Sequence, residues 1–331
     1  MKNNVVYLFP GQGAQYQGMA LDFLASGSEA VKKLFDTASV IFGKDAETLL
    51  RDSDADTLKR TDVSQPAITL ANLSAAAYLT GQGYSPVACA GFSLGEYAAL
   101  VCAGVISTED CFRLVKARGD AMQKNADSLR EASAPSDAGD VSTAPGMAAV
   151  TGLPPEKVEA LIAEWGIKDL YAANINSPRQ VVVSGTAAAL AEAEKRFKEA
   201  GARRAIRLQV AGPFHSPLLT DVIEVFRPVL ESVTFNDPKI PLYSNVTGKR
   251  VSSGEEAKRL ALLQITSPVR WVDEEAEIVN DFKTETSGGF EACLEVGPGM
   301  VLQGLWKDAG SGIPVFAAGT VNDIAKIGET T

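Results

Sequence analysis

The chain has 331 residues, 46% of them hydrophobic and 22% charged, so it can bury a substantial core, and its length predicts about two folding units. With 41 acidic residues against 31 basic ones, the net charge of −10 excludes a protein that coats nucleic acid or an anionic membrane, since either needs a basic field. A single histidine excludes most zinc and non-haem iron sites, which take two or three imidazoles, and no metal is expected.

Residues 5–9, Val-Val-Tyr-Leu-Phe, are a continuous apolar run stopped by Pro10 and Gly11, the pattern of a buried strand feeding a loop. The run is too short for a signal-peptide core or a membrane span. Residues 65–80 predict an alanine-rich helix with Pro66 in its first turn and Gly81 at its stop. A small-residue strand follows at 87–91, then a helix at 94–103 ended by Gly104, then a helix at 108–124 with Ser107 as N-cap. The four cysteines, Cys89, Cys102, Cys111 and Cys293, show no CxxC spacing and read as packing thiols in a reducing, cytoplasmic setting.

From 126 to 146 the composition shifts to Ser, Ala, Asp, Pro and Gly, which reads as a flexible linker. Beyond it the signals run strand 147–151, helix 155–165, strands 170–175 and 180–184, helix 186–200 and strand 203–208. That β-α-β-β-α-β order is the ferredoxin-like split unit. Strand and helix signals resume at 240–245, 257–264, 292–296 and after Gly299, and the last ten residues read as frayed. The economical organisation is an α/β protein in which a larger unit, 1–126 and 210–331, is interrupted by a linker at 127–146 and a smaller ferredoxin-like subdomain at 147–209.

The strongest chemical signal is Gly91-Phe92-Ser93-Leu94-Gly95, a GxSxG sequence between a predicted strand and helix, the context a nucleophile elbow requires. The flanking glycines permit a sharp turn, and the helix start aims free N–H groups where an oxyanion would form. A serine hydroxyl needs a base. The one imidazole, His215, lies in a Gly- and Pro-framed loop, Val210 to Pro217, just past the insert. No acid follows it in an obvious position, so the pair reads as a dyad whose imidazole is oriented by a backbone carbonyl or an amide side chain. In helix 108–124 the apolar stripe Cys111, Leu114, Val115, Met122 includes Arg118. A guanidinium there must find an anion, and a carboxylate such as Glu96 and a substrate carboxylate fit the spacing equally well. The loop Phe9-Pro-Gly-Gln-Gly-Ala-Gln15 has neither P-loop nor GxGxxG spacing, but a backbone N–H near Gln12 suits a second oxyanion donor.

Taken in order along the chain, several segments resemble the malonyl-CoA:acyl carrier protein transacylases of fatty acid synthesis and the acyltransferase domains of polyketide synthases. They are Phe9 to Gln15, Gln65-Pro66, Gly91-Phe-Ser-Leu-Gly-Glu-Tyr97, Arg118, Asn174-Ile-Asn-Ser-Pro178, Phe214-His215, Ser244-Asn-Val-Thr-Gly248, Gln264, Pro268-Val269 with Trp271, and Glu295-Val-Gly-Pro-Gly299. The resemblance implies a larger α/β-hydrolase-like subdomain with a parallel sheet beside the ferredoxin-like one, and an active site in the cleft between them. It implies that Ser93 is the acylated nucleophile and His215 its general base, with Gln12 and Leu94 as oxyanion donors. Arg118 would pair with the malonate carboxylate, Gln264 would support the histidine, and Phe214 would crowd out a branched methyl group. Malonyl-CoA is then the substrate and acyl carrier protein the partner, with no bound cofactor, no nucleic acid and no membrane, in a monomeric cytoplasmic enzyme.

One departure stands out: the family usually has histidine where this chain has Phe92, a position expected to pack away from the chemistry. The acidic carrier would need a local basic patch, for which Lys195, Arg196, Lys198, Arg203, Arg204 and Arg207 are candidates. A freestanding chain starting at its first strand favours a fatty acid carrier over a polyketide one. The rival readings are a serine esterase-like hydrolase, which has no use for Arg118, and a carrier-binding module that has lost catalysis.

Overall fold

Five successive apolar residues with no polar alternation make a strand covered on both faces, and Val5–Phe9 is one, buried at every position. The structure is a computed structural model that describes residues 2–133, 144–284 and 289–329. Its strands in chain order are β1 Val5–Phe9, β2 Pro86–Gly91, β3 Gly146–Thr151, β4 Leu170–Ser177, β5 Gln180–Gly185, β6 Arg204–Arg207, β7 Tyr243–Ser244, β8 Lys249–Arg250, β9 Ala292–Glu295 and β10 Val315–Ala317. Strands β10-β9-β1-β2 form a parallel sheet. Strands β4-β5-β3-β6 form a separate antiparallel sheet in the ferredoxin-like order.

The small sheet shows why strand periodicity matters to function. In β3, Ala148 and Val150 face the helices Pro155–Trp165 and Ala187–Glu199, whose Val158, Leu190 and Phe197 complete one core. The alternate residues Met147 and Ala149, with Val182 of β5, face the other way, into the cleft toward the parallel sheet. The small sheet is tied to the larger unit by backbone pairing between β4 and the segment just before helix Trp271–Thr284, since Ile175 N–H donates to Val269 O at 2.7 Å and Val269 N–H to Ala173 O at 2.8 Å. From the same side, Ser184 Oγ–H of β5 donates to the Phe214 carbonyl at 2.5 Å, fixing the residue before the histidine.

Several expectations are corrected. The helix expected at 65–80 spans Thr61–Gly81, which moves Pro66 out of the first turn. Its residues from Val63 to Ala75 are buried on every side, so packing rather than an N-terminal proline defines the element. Helix Thr108–Ser133 runs nine residues past the predicted 124, so 127–133 is helical and not linker. Ala126 is buried and Gln123 Nε2–H donates to Asp127 at 2.9 Å, which carries the helix through the composition change. Residues 134–143 of the expected linker lie outside the described residues. The stretch 240–245 contributes only the two residues of β7 and a single parallel bridge, Cys89 to Leu242, at the sheet edge. The C-terminal residues expected to fray form helix Val321–Glu329, with Ile324 and Ile327 buried. Helices Leu21–Ala25, Glu29–Phe42 and Ala46–Asp52 fill the span after β1, the second capped by Ser28 and stopped by Gly43 in the left-handed region.

Candidate active site

The elbow follows from two glycines. A Cβ on Gly91 would collide with the Gly95 backbone, and one on Gly95 with the Phe9 carbonyl, so strand, turn and helix close only when both lack side chains. Ser93 sits between them at φ 50, in the left-handed region that costs a non-glycine residue about 1–3 kcal/mol, and something outside the turn must hold it. Asn245 does so, because its Oδ1 accepts the Ser93 N–H at 2.7 Å while its Nδ2 donates to the Gly91 carbonyl at 2.8 Å.

The serine and the histidine, 122 residues apart, meet: Ser93 Oγ lies 2.7 Å from His215 Nε2. His215 is 4% exposed and likewise left-handed, at φ 55. Its Nδ1 lies 3.0 Å from the Gln264 main-chain carbonyl. A carbonyl can only accept, so the proton is on Nδ1 and the Nε2 lone pair faces the serine. Burial, and then the Arg118 charge, pushes the imidazole down to about 4, so it is neutral at physiological pH. Gln264 therefore supports the histidine through its backbone. Its side chain does other work: Nε2 donates to the Ser93 carbonyl at 3.0 Å, and Oε1 accepts from Arg118 Nη2 at 3.3 Å.

Arg118 is 1% exposed, lies against the Tyr97 ring at 5.6 Å, and its Nε has no partner among the described residues. Among the described residues no carboxylate is within ion-pair distance of it, and Glu96 is reached only through the Gln264 amide. Burial lowers its affinity for a proton, so the buried guanidinium lacks a counter-ion in contact. Ser93, His215 and Arg118 line one cavity of about 420 Å³ between the two sheets, together with Gln12, Leu94 and Phe214. Neither the Gln12 nor the Leu94 backbone N–H donates a hydrogen bond among the described residues, which leaves both free for an oxyanion. Phe92 packs edge-on against Trp271, ring centroids 5.5 Å apart, while still bordering the cavity, and the Ser93–His215 contact forms without an imidazole at position 92.

Three buried residues stand behind these groups: Asn245 and Glu274, which sequence reasoning left without a role, and Glu96, which it offered only as an ion-pair partner for Arg118. Glu96 carried a signal, a lone acid in the apolar helix Gly95–Cys102, and Asn245 lay in the resembling segment Ser244 to Gly248 with no role attached; Glu274 carried none. Of the expected basic patch, Arg196, Arg207 and Lys195 lie beside Glu192, Glu194 and Glu199, so much of their charge is met within the small subdomain. Among the described residues no cluster of His, Cys, Asp or Glu is placed to hold a metal ion, and no helix is long and apolar enough to cross a membrane.

Residues 6–311 match the family described as acyl transferase domain. The chain is 34% identical over 308 residues to the malonyl CoA-acyl carrier protein transacylase of Bacillus subtilis strain 168, covering 92% of this chain and 90% of that one. It superposes on the MCAT from Streptococcus pneumoniae with a TM-score of 0.87 at 31% identity, covering 99% and 100% of the two chains. A solved type II PKS acyl-carrier protein in complex with its malonyl-transacylase gives a TM-score of 0.86 at 32% identity, covering 99% and 100%.

Proposed function

The chain belongs to the acyl transferase domain family, and from that premise we propose that it moves the malonyl group from malonyl-CoA to the phosphopantetheine thiol of acyl carrier protein, supplying fatty acid or polyketide synthesis. The observation that carries the reading is the buried Arg118 guanidinium, without a contacting counter-ion, in the same cavity as the Ser93–His215 pair. An esterase for neutral acyl groups would gain nothing from a desolvated cation beside its nucleophile.

In the first half-reaction Ser93 Oγ gives its proton to His215 Nε2 as it attacks the thioester carbon. The tetrahedral oxyanion is held by the Gln12 and Leu94 N–H groups, and Arg118 pairs with the free carboxylate. Collapse expels the coenzyme A thiolate, which takes the proton from the imidazolium and leaves malonyl-Ser93. In the second half-reaction the carrier thiol enters along the same path, its proton passing to His215 and then to the serine oxygen as the ester breaks. A thioester is an activated donor, which allows a dyad oriented by a carbonyl to serve where a peptide bond would demand a carboxylate behind the histidine.

Intact-mass measurement after mixing with malonyl-CoA tests this. The expected result is a malonyl adduct that is absent in Ser93→Ala and discharges onto holo-carrier protein. Rapid release of free malonate without a carrier supports the hydrolase reading, and no adduct with no turnover supports a binding module. Comparing discharge onto a fatty acid carrier and a polyketide carrier at equal concentration identifies the supply route.

A further inference from the structure

Glu96 is 4% exposed on a helix that otherwise presents Tyr97, Ala98, Ala99 and Leu100 to the core. A carboxyl group so placed is costly unless hydrogen bonds compensate it. Its Oε2 accepts the Asn245 backbone N–H at 2.9 Å and Gln264 Nε2–H at 3.0 Å, and its Oε1 accepts Ser244 Oγ–H at 3.4 Å. Two of these donors belong to residues that hold the reacting groups. Asn245 fixes the strained Ser93 turn, and Gln264 touches Ser93 and Arg118 with its side chain and His215 with its carbonyl. An amide has one donating and one accepting end. With a carboxylate on one side and a guanidinium on the other, only one orientation of Gln264 satisfies both; the flipped amide would set its NH₂ against Arg118.

We propose that Glu96 is a positioning residue of the acyl-transfer site, its carboxylate orienting the Gln264 side-chain amide and anchoring the Asn245 backbone, which in turn align Ser93, His215 and Arg118. This rests on the acyl-transfer reading above. The titratable and charged groups facing Glu96 are Arg118 from helix Thr108–Ser133, Glu274 from helix Trp271–Thr284, Tyr97 on its own helix, and His215 beyond Gln264. Burial raises the Glu96 carboxyl to about 7, and the Glu274 carboxyl, whose Oε2 has no partner, well above its ordinary range. Acidification through neutrality therefore neutralises Glu96 while His215, at about 4, stays a neutral base. The site loses alignment before it loses its base.

The test is the rate of Ser93 malonylation from pH 5 to 8.5 for wild type, Glu96→Gln and Glu96→Asp, with the acylatable fraction and melting temperature of each. Wild type should slow through a one-proton limb near pH 7. Glu96→Gln should acylate fully but about 10- to 100-fold more slowly at pH 8, with the limb gone, the size of effect that ångström-scale misplacement produces. Glu96→Asp should keep a limb, and with the wild-type profile it decides the matter should the glutamine variant not fold. A wild-type rate that is flat from pH 5 to 8.5, a limb that survives in Glu96→Gln, or a loss confined to the unacylatable fraction overturns the proposal. Absence of any Ser93 adduct in wild type at every pH overturns the acyl-transfer reading itself, and this proposal with it.

Discussion

Replacing Arg118 by alanine should separate malonyl from acetyl donors, and the structure sets the size of the effect. The guanidinium is buried, its Nε is unpartnered, and the hydrogen bond it makes to Gln264 Oε1 is long at 3.3 Å, so most of its donor capacity is free for a ligand. A hydrogen bond to a charged group is worth about 1.5–3 kcal/mol, and about 1.4 kcal/mol is tenfold, so kcat/KM for malonyl-CoA should fall about 10- to 150-fold. Acetyl-CoA has no carboxylate to lose; it feels the release of Gln264, which affects both donors alike, and gains from removal of the charge that weakens His215. The ratio of the two kcat/KM values therefore reports the carboxylate contact together with its neutralisation of the charge beside His215. Transfer of each acyl group to carrier protein at subsaturating donor measures it, with a melting curve to show that the variant is folded. Equal losses for both donors would refute the assignment of Arg118 to the substrate carboxylate.

Two further outcomes follow from the same geometry. His215 is held at about 4 in the folded protein against about 6.5 when unfolded, so the unfolded state binds the extra proton and stability falls as pH drops through that window. The stability advantage of wild type over His215→Asn in urea titrations should thus shrink between pH 6.5 and 4, by up to about 3 kcal/mol; a pH-independent gap would contradict the buried neutral imidazole. Gly95→Ala drives a Cβ into the Phe9 carbonyl at the crossing of strand and helix, and the variant should lose Ser93 acylation altogether. Normal acylation of soluble Gly95→Ala protein would show that the elbow can open without harm.

What could be read from the chain, and what could not, divides by the range of the interaction. Ser93 and His215 are legible because residue type and local context carry them: glycines at fixed offsets, and one imidazole in the whole sequence. The ferredoxin-like strand order follows from local periodicity, and Thr186 and Gly166 bracket its helices as a cap and a stop. The roles of Asn245 and Glu274 are not legible, although Asn245 falls within the resembling segment Ser244 to Gly248. The contacts that give them meaning span about 150 residues for Asn245 and Ser93, and 29 for Glu274 and Asn245, and no periodicity records either. Gln264 is an intermediate case, where the right residue is implicated but the contacting atom is a main-chain carbonyl, which any amino acid could supply at that position. The overrun of helix Thr108–Ser133 has a local cause. Ser, Ala and Asp suit a linker and a helix end alike, and the burial of Ala126 decides between them.

The low pKa of His215 poses a problem that the arrangement of charges resolves. A base held at about 4 is a weak acceptor for a serine proton, and among the described residues no carboxylate stands behind it to strengthen it. The second cause of that depression, after burial, is the Arg118 charge. A malonyl carboxylate paired with Arg118 neutralises that charge, so binding the right donor itself strengthens the base, while an acetyl donor leaves it weak. Discrimination should then appear in kcat as well as in KM. The protein offers a direct measurement, because its single histidine gives the only imidazole signals in a proton NMR spectrum. Saturating free malonate should raise the His215 pKa by about 1 or more, the usual size of a nearby-charge effect, in wild type but not in Arg118→Ala. An unchanged value in wild type would mean that the guanidinium and the imidazole do not communicate through the substrate.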